Sequence, residues 1–270
     1  VLAINNKYAE KENNDSSEGG LRIPIGKCEG VTFYFTFGHD TENYSALVGG
    51  QSGKGKTVLL NNIIAKGIEA YDKDELMYAI IDCSGVGYQY FKGSERLSYF
   101  ESSSDQKVCF KKIQELDEEL KRREELFKKA RVDNIDKYNE KIEEKLPRLV
   151  IVIDEFHVLF TENVETIYDD DGNYVSSVDI PEVVEEILIT RIVRIGRKFG
   201  VHLILSTQSL DGGIRYNVLN NISLRIALGM TKEQSLSFFE SKNTAAENLD
   251  RGVAIYNTKN GDPNYNRRVQ

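Results

Sequence analysis

Apolar residues along this chain fall into two kinds of run. Short, nearly continuous runs occur at Tyr44-Ser45-Ala46-Leu47-Val48, Leu76 to Asp82 (LMYAIID), Leu149-Val150-Ile151-Val152-Ile153 and Val201 to Thr207 (VHLILST). Such runs mark strands buried on both faces, as in a parallel sheet. Between them the spacing turns helical. Val58-Leu59-Leu60 and Ile63-Ile64 predict a helix from about Gly55. Cys109, Ile113, Leu116, Leu120 and Phe127 form one stripe of a long helix from Asp105 to about Arg131. Its many Glu, Lys and Arg residues read as a solvated face with i,i+4 pairs. A short helix follows over Asn134 to Leu146, and Pro181 opens another that runs to about Phe199 and stops at Gly200. Ser223 to Leu228 is a strand, Thr231-x-x-Gln234 caps the next helix, and Gly252 to Tyr256 is the last clear strand.

Ahead of this alternation, Leu21-Arg22-Ile23-Pro24-Ile25-Gly26 and Val31 to Phe37 predict a β-hairpin, and residues 1–20 form a polar linker or arm. The acid-rich stretch 161–180 reads as a loop. Its Asp169-Asp170-Asp171-Gly172-Asn173 has the glycine too early for an EF-hand and no closing Glu, so a hairpin-like turn at Asp171-Gly172 is expected. With no repeat of 20–50 residues, the pattern is that of one α/β domain over 21–270, built on a mostly parallel sheet.

Composition narrows the setting. Apolar content of 40% and charged content of 29% are those of an ordinary globular domain. The net charge of −8 argues against a monomer that coats nucleic acid non-specifically, though a basic lining inside an assembly is compatible with it. Cys28, Cys83 and Cys109 lack C-x-x-C spacing, so they read as reduced intracellular thiols. No apolar run reaches the ~18–20 residues of a membrane span, so no membrane contact is expected from this piece. A chain that begins at Val1 reads as part of a longer protein, and an anchor elsewhere is left open.

The chemistry centres on Gly50-Gln51-Ser52-Gly53-Lys54-Gly55-Lys56-Thr57, a full match to G-x-x-x-x-G-K-[ST]. A strand runs into it and a helix leaves it, the context this phosphate loop needs. Glycines allow the backbone to close around a phosphate, with N–H groups and the helix dipole facing the anion. The expected nucleotide-binding set is Gly50, Gln51, Ser52, Gly53, Lys54, Gly55, Lys56, Thr57 and Val58. Lys56 reaches the β- and γ-phosphates of ATP, and the Thr57 hydroxyl ligates Mg²⁺. Asp154-Glu155, after five apolar residues, has the form of a Walker B motif. Asp154 is expected to hold the Mg²⁺ water shell, and Glu155 to orient or deprotonate the attacking water. Gln208, ending the VHLILST strand, is placed to bond the γ-phosphate or that water. His157 and His202 read as structural, and His39 as a loop residue.

Four stretches carry a resemblance to the FtsK/SpoIIIE family of ring ATPases, within the HerA–FtsK group: GGQSGKGKT, VIVIDEF, GRKFGVHLILSTQS and NNISLRIAL. The resemblance implies a RecA-like fold, a homo-hexameric ring in the bacterial cytoplasm, ATP bound between subunits, and Arg225 acting in trans as an arginine finger. An Arg within an apolar strand is costly unless paired or at an interface, which agrees with a special role. Lys54 departs from the small residue usual in the family, and Asp82-Cys83-Ser84-Gly85 replaces its D-P-K. The function implied is a motor that moves double-stranded DNA; the alternative is a type VII-like secretion ATPase that engages a protein substrate. Intact Lys56, Thr57, Asp154 and Glu155 argue against a decayed nucleotide switch.

Overall fold

The structure is a computed structural model and describes residues 16–38, 41–169, 171, 174–208, 216–240 and 242–270. Its strands are β1 (Gly20–Cys28), β2 (Val31–Gly38), β3 (Ser45–Gly49), β4 (Leu76–Asp82), β5 (Leu97–Ser102), β6 (Arg148–Asp154), β7 (Val164–Tyr168), β8 (Tyr174–Asp179), β9 (Val201–Thr207), β10 (Leu224–Leu228), β11 (Ala254–Asn257) and β12 (Asn266–Val269). The helices are α1 (Lys56–Ala70), α2 (Gln106–Ala130), α3 (Ile135–Lys141), α4 (Ile180–Glu185), α5 (Tyr216–Asn220) and α6 (Lys232–Phe239).

Eight strands form the central sheet in the order β12-β11-β10-β3-β9-β6-β4-β5. The run from β10 to β5 is parallel throughout, and β11 and β12 add an antiparallel margin. Successive side chains on a strand point to opposite faces, so each buried strand feeds two cores. Val48, Ile80, Val152 and Ile204 pack against Leu60, Ile63 and Ile64 of α1, and against Leu21, Ile23, Phe35 and Phe37 of the β1–β2 hairpin. Leu47, Ile81, Ile153 and Leu205 face Ile113, Leu116 and Leu120 of α2 and Val184 of α4. This double burial is why these strands lack polar alternation in sequence. Gly67 of α1 allows the first core to close. A Cβ there would stand 1.9 Å from the Tyr78 hydroxyl, which itself donates to Ile63 O at 3.0 Å.

Most expected elements form close to their predicted bounds, though α3 ends at Lys141 rather than Leu146, and four further differences carry structural information. The 161–180 stretch is largely the antiparallel β7–β8 hairpin rather than a loop; Gly172 at its expected turn lies outside the described residues. The helix opened near Pro181 widens into a π-helical stretch over Glu186–Val193 before a last 3₁₀ turn. β5 and β12 extend the sheet beyond the strands read from the sequence. Residues 1–15 of the polar arm, and His39, lie outside the described residues. Ser17, in contrast, is buried, accepting from Arg148 Nε at 2.7 Å and donating its N–H to Glu75.

Candidate nucleotide site

β3 delivers the chain to the phosphate loop, and α1 starts at Lys56 behind Gly55, whose φ of 109° is open to glycine alone among common residues. The loop is seated on its neighbours through the backbone. Gln51 N–H donates to Gly229 O at 3.1 Å, and Gly252 N–H donates to Lys54 O at 3.2 Å. A Cβ on Gly50 would stand 2.8 Å from Leu228 Cβ, so the loop lies directly against the end of β10. The Lys54 ammonium donates to Leu249 O at 2.9 Å. Lys54, the extra lysine of the motif, is thereby a tether between the loop and the segment before β11.

Lys56 is nearly buried, and its Nζ stands 2.9 Å from Asp154 Oδ1 and 2.5 Å from Glu155 Oε1. Asp154 ends β6, and β9 lies between β6 and β3. The two halves of the motif thus meet across an intervening strand. Asp154 Oδ1 also accepts from Glu155 N–H at 3.0 Å, and Asp154 Oδ2 accepts from the Tyr88 hydroxyl at 2.9 Å. Glu155 adopts a left-handed φ of 52°, a turn uncommon for a non-glycine residue that swings its carboxylate off the strand direction. Its Oε2 accepts from Gln208 N–H at 3.2 Å and lies 3.3 Å from His157 Nδ1. Burial alone would raise the Glu155 carboxyl. Hydrogen bonds from His157, Lys56 and Gln208, with the Lys56 charge, outweigh it and hold the group at about 2. Glu155 is therefore an anion at every working pH.

The donor set fits Mg²⁺. Asp154 offers a carboxylate oxygen already facing a cationic group, and Thr57 offers an exposed hydroxyl in the first turn of α1. Among the described residues no group of three or more His, Cys, Asp or Glu side chains could hold a metal ion.

The sequence of this chain matches the FtsK/SpoIIIE family model over residues 8–252. The chain belongs to the FtsK/SpoIIIE family. It is 31% identical over 219 residues to the ESX secretion system protein EccC of Geobacillus thermodenitrificans, covering 78% of this chain and 14% of that protein. It is 26% identical to the DNA translocase FtsK of Streptococcus pneumoniae, covering 100% of this chain and 34% of that one. The chain thus spans well under half the length of these relatives. Its fold is that of the cytoplasmic domain of the type VII secretion ATPase EccC of Thermomonospora curvata, with a TM-score of 0.73 at 20% identity over 97% of this chain and 29% of that one. The pCW3 conjugation coupling protein TcpA, solved with ATPγS, gives 0.69 at 21% identity over 97% of this chain and 68% of that one. This FtsK/SpoIIIE domain is a RecA-like P-loop ATPase.

Arg225, which the FtsK/SpoIIIE resemblance singled out, and Gln208, read from its place at the end of a strand, sit differently from expectation. Arg225 is wholly buried. Its Nη1 donates to Phe238 O at 2.7 Å, and its Nη2 donates to Leu219 O at 2.9 Å and Glu240 Oε2 at 2.7 Å. A guanidinium held by the ends of α5 and α6 of its own subunit is not available to a neighbour, so the arginine-finger reading gives way to a structural one. Gln208 does reach the site, but through its backbone N–H to Glu155. The reverse holds for His157, read as structural: its Nδ1 lies against the Glu155 carboxylate and 3.1 Å from Thr207 Oγ1. His202 is structural as expected, stacked on the rings of Phe37 and Tyr44.

Sequence reasoning passed over Tyr88, and placed Asp82 at the carboxyl end of its strand, where ligands of such sheets bind. Asp82 is fully buried and accepts four hydrogen bonds, from Ser84 N–H and Oγ, Gly87 N–H and Ser102 Oγ. Burial would raise its carboxyl, and these donors outweigh that and lower it. The available signal was the polar turn Ser84-Gly85-Val86-Gly87 directly after a strand-end acid.

Proposed function

We propose that this ATPase is the motor domain of a ring-forming translocase that acts on double-stranded DNA. The observation that carries the catalytic part is the convergence of Lys56, Asp154 and Glu155 within hydrogen-bond distance of one another at the carboxyl ends of β3 and β6. Lys56 leaves the two carboxylates for the terminal phosphates, where the loop N–H groups and the start of α1 already favour an anion. Thr57 and Asp154 would hold Mg²⁺, which supplies charge neutralisation on the phosphates. Glu155, anionic and fixed by His157 and Gln208 N–H, orients the attacking water and accepts its proton. Release of Lys56 removes one of the influences that hold the Glu155 carboxyl low, so its basicity rises when the phosphate arrives.

The DNA reading is supported by the extent of similarity to the translocase FtsK, which covers the whole chain. A second reading, a protein export substrate, is favoured by the higher identity to EccC and by the net charge of −8. The face of α2 does not separate them. Lys112, Lys121 and Arg122 pair with Glu115, Asp117, Glu118 and Glu119 of the same helix, and Arg123 with Glu119. Lys112, Lys121 and Arg122 are thus matched by acids one turn away, and Arg123 is buried, so these four cations form no free basic track. ATP turnover measured alone and with linear duplex DNA tests the proposal. Several-fold stimulation by duplex, lost at high salt, is expected. Turnover indifferent to DNA but raised by a bound export-signal peptide would replace it with the second reading.

A further inference from the structure

We infer that Tyr88 is a positioning residue for Asp154, holding one carboxylate oxygen so that the other is the one exchanged between Lys56 and the metal's water shell. The role rests on the magnesium–ATP reading above and concerns a residue outside both sequence motifs. The phenol is 3% exposed, and its hydroxyl donates to Asp154 Oδ2 at 2.9 Å. Lys56 and Glu155 N–H both approach the opposite oxygen, Oδ1.

The segment between β4 and Tyr88 is built for this contact. Asp82 and Asp154 are register partners on adjacent parallel strands, and Cys83 N–H donates to Asp154 O at 3.0 Å. The chain then turns tightly, with both oxygens of Asp82 holding it. Ser84 N–H at 2.9 Å and Ser84 Oγ at 2.6 Å take Oδ1, while Gly87 N–H at 2.6 Å and Ser102 Oγ at 2.9 Å take Oδ2. Tyr88 follows at a left-handed φ of 58°, uncommon for an aromatic residue and maintained only where the surroundings fix it. The ring joins the apolar cluster that includes Ile80 and Val152, so the hydroxyl cannot turn to water without breaking that packing.

The physical consequence follows from the two-fold freedom of a carboxylate. An Asp side chain free to rotate can offer either oxygen, or both, to a nearby ammonium. A phenol on Oδ2 removes that freedom and leaves one oxygen to be contested. Loss of the phenol O–H should then weaken the metal-dependent part of nucleotide binding and leave the metal-free part alone, because the loop, Lys56 and α1 are unchanged.

The experiment is titration of a fluorescent ATP analogue into the protein with Mg²⁺ and, separately, with EDTA. For Tyr88→Phe, affinity in EDTA should stay within about twofold of wild type. The gain in affinity on adding Mg²⁺ should shrink about tenfold, the worth of one hydrogen bond to a charged group. In an Asp154→Asn background the same substitution should add nothing further, as expected for two residues acting through one contact. A full magnesium gain in Tyr88→Phe overturns the assignment. So does an equal loss with Mg²⁺ and with EDTA, which marks a packing residue. A wild-type protein that shows no magnesium gain at all overturns the magnesium–ATP reading itself, and the role of Tyr88 with it.

Discussion

Lys56 Nζ stands 2.9 Å from Asp154 Oδ1, joining the start of α1 to the end of β6 across the width of β9. Both side chains are nearly buried, and Glu155 lies on the same ammonium. Lys56→Ala therefore leaves two carboxylates facing each other without their cation. We expect a loss of about 3–5 kcal/mol in folding stability. ATP affinity should also fall by more than about tenfold as a charged donor disappears. Denaturant unfolding and nucleotide titration measure the two. Undiminished ATP affinity would remove the phosphate-loop assignment.

Glu155→Gln keeps the shape of the side chain and its contacts with Gln208 N–H, but takes away the anion. Nucleotide binding should persist while turnover falls by about 10²–10⁴, the range for loss of a general base. A single-turnover assay separates the two steps. If the variant hydrolysed ATP at the normal rate, the base would have to be sought elsewhere.

Arg225→Met strips the donors from the carbonyls of buried Leu219 and Phe238, and from the partly exposed Glu240 carboxylate, at once. The cost should be about 3–5 kcal/mol, which corresponds to a Tm lower by on the order of 10 °C for a domain of this size. The effect should be the same at low and high protein concentration, because the partners belong to one subunit. A variant that melts like wild type, yet loses activity only on assembly, would return Arg225 to a role between subunits.

His202 gives the stability a dependence on acid. Burial, then the charges of Arg148 and Arg123, push its imidazole down to about 3 from an ordinary value of 6.5. The unfolded chain takes up a proton below about 6.5 that the folded protein refuses until about 3, so stability declines as pH falls through that window. One proton sets a limiting slope of about 1.4 kcal/mol per pH unit. Replacing the residue by Phe should flatten the curve between pH 6 and 4 by up to that amount. Glu155 acts in a lower window. Its depressed carboxyl adds stability above the unfolded value of 4.5, and this is lost as pH falls toward about 2. Equal slopes for wild type and His202→Phe would show that the imidazole is not the group responsible.

Gly67→Ala sets two effects against each other. Alanine improves helix propensity by about 1 kcal/mol. The new methyl, however, falls 1.9 Å from the Tyr78 hydroxyl, with Ile23 and Leu76 side chains each 3.1 Å away. Overpacking of this kind costs about 1–3 kcal/mol, and the Tyr78 bond to Ile63 O would be strained as well. Net destabilisation is expected, read as a lower denaturant midpoint. A stabilised variant would mean that β4 and α1 yield more easily than their contacts imply.

The parts of this molecule that could be read in advance are those in which a residue's neighbours in sequence settle its role. The phosphate loop is one, since Gly50 to Thr57 are contiguous and their strand and helix adjoin them. The doubly buried strands are another, because burial on both faces writes itself as an unbroken apolar run. β12 escaped because Asn-Arg-Arg-Val holds a single apolar residue. It is a strand through pairing with β11, and Gln270 just beyond it exchanges backbone bonds with Lys27 of β1. β5 is a half-exposed margin strand with no such run. Arg225 was recognisable as a residue that must have partners, but carbonyls at the ends of two helices leave no mark in the sequence that would distinguish them from a neighbouring subunit. Tyr88 depends on a left-handed backbone angle and a contact 66 residues away, and nothing local announces either.

β9 separates the phosphate loop from the Walker B acids, and this makes the sheet a measuring rod. Two inter-strand spacings, about 9.5 Å in all, set the distance between the end of β3 and the end of β6. That distance is written in backbone hydrogen bonds, along ladders from Ser45–Leu203 to Gly49–Thr207 and from Leu149–Val201 to Asp154–Ser206. Side chains on all three strands can drift between relatives without altering the gauge, so long as the interior stays filled. A single inserted residue in β9 would do what many substitutions cannot. It would shift the end of β9 by about 3.3 Å against both jaws and turn Thr207 and Gln208 to the wrong faces of the sheet.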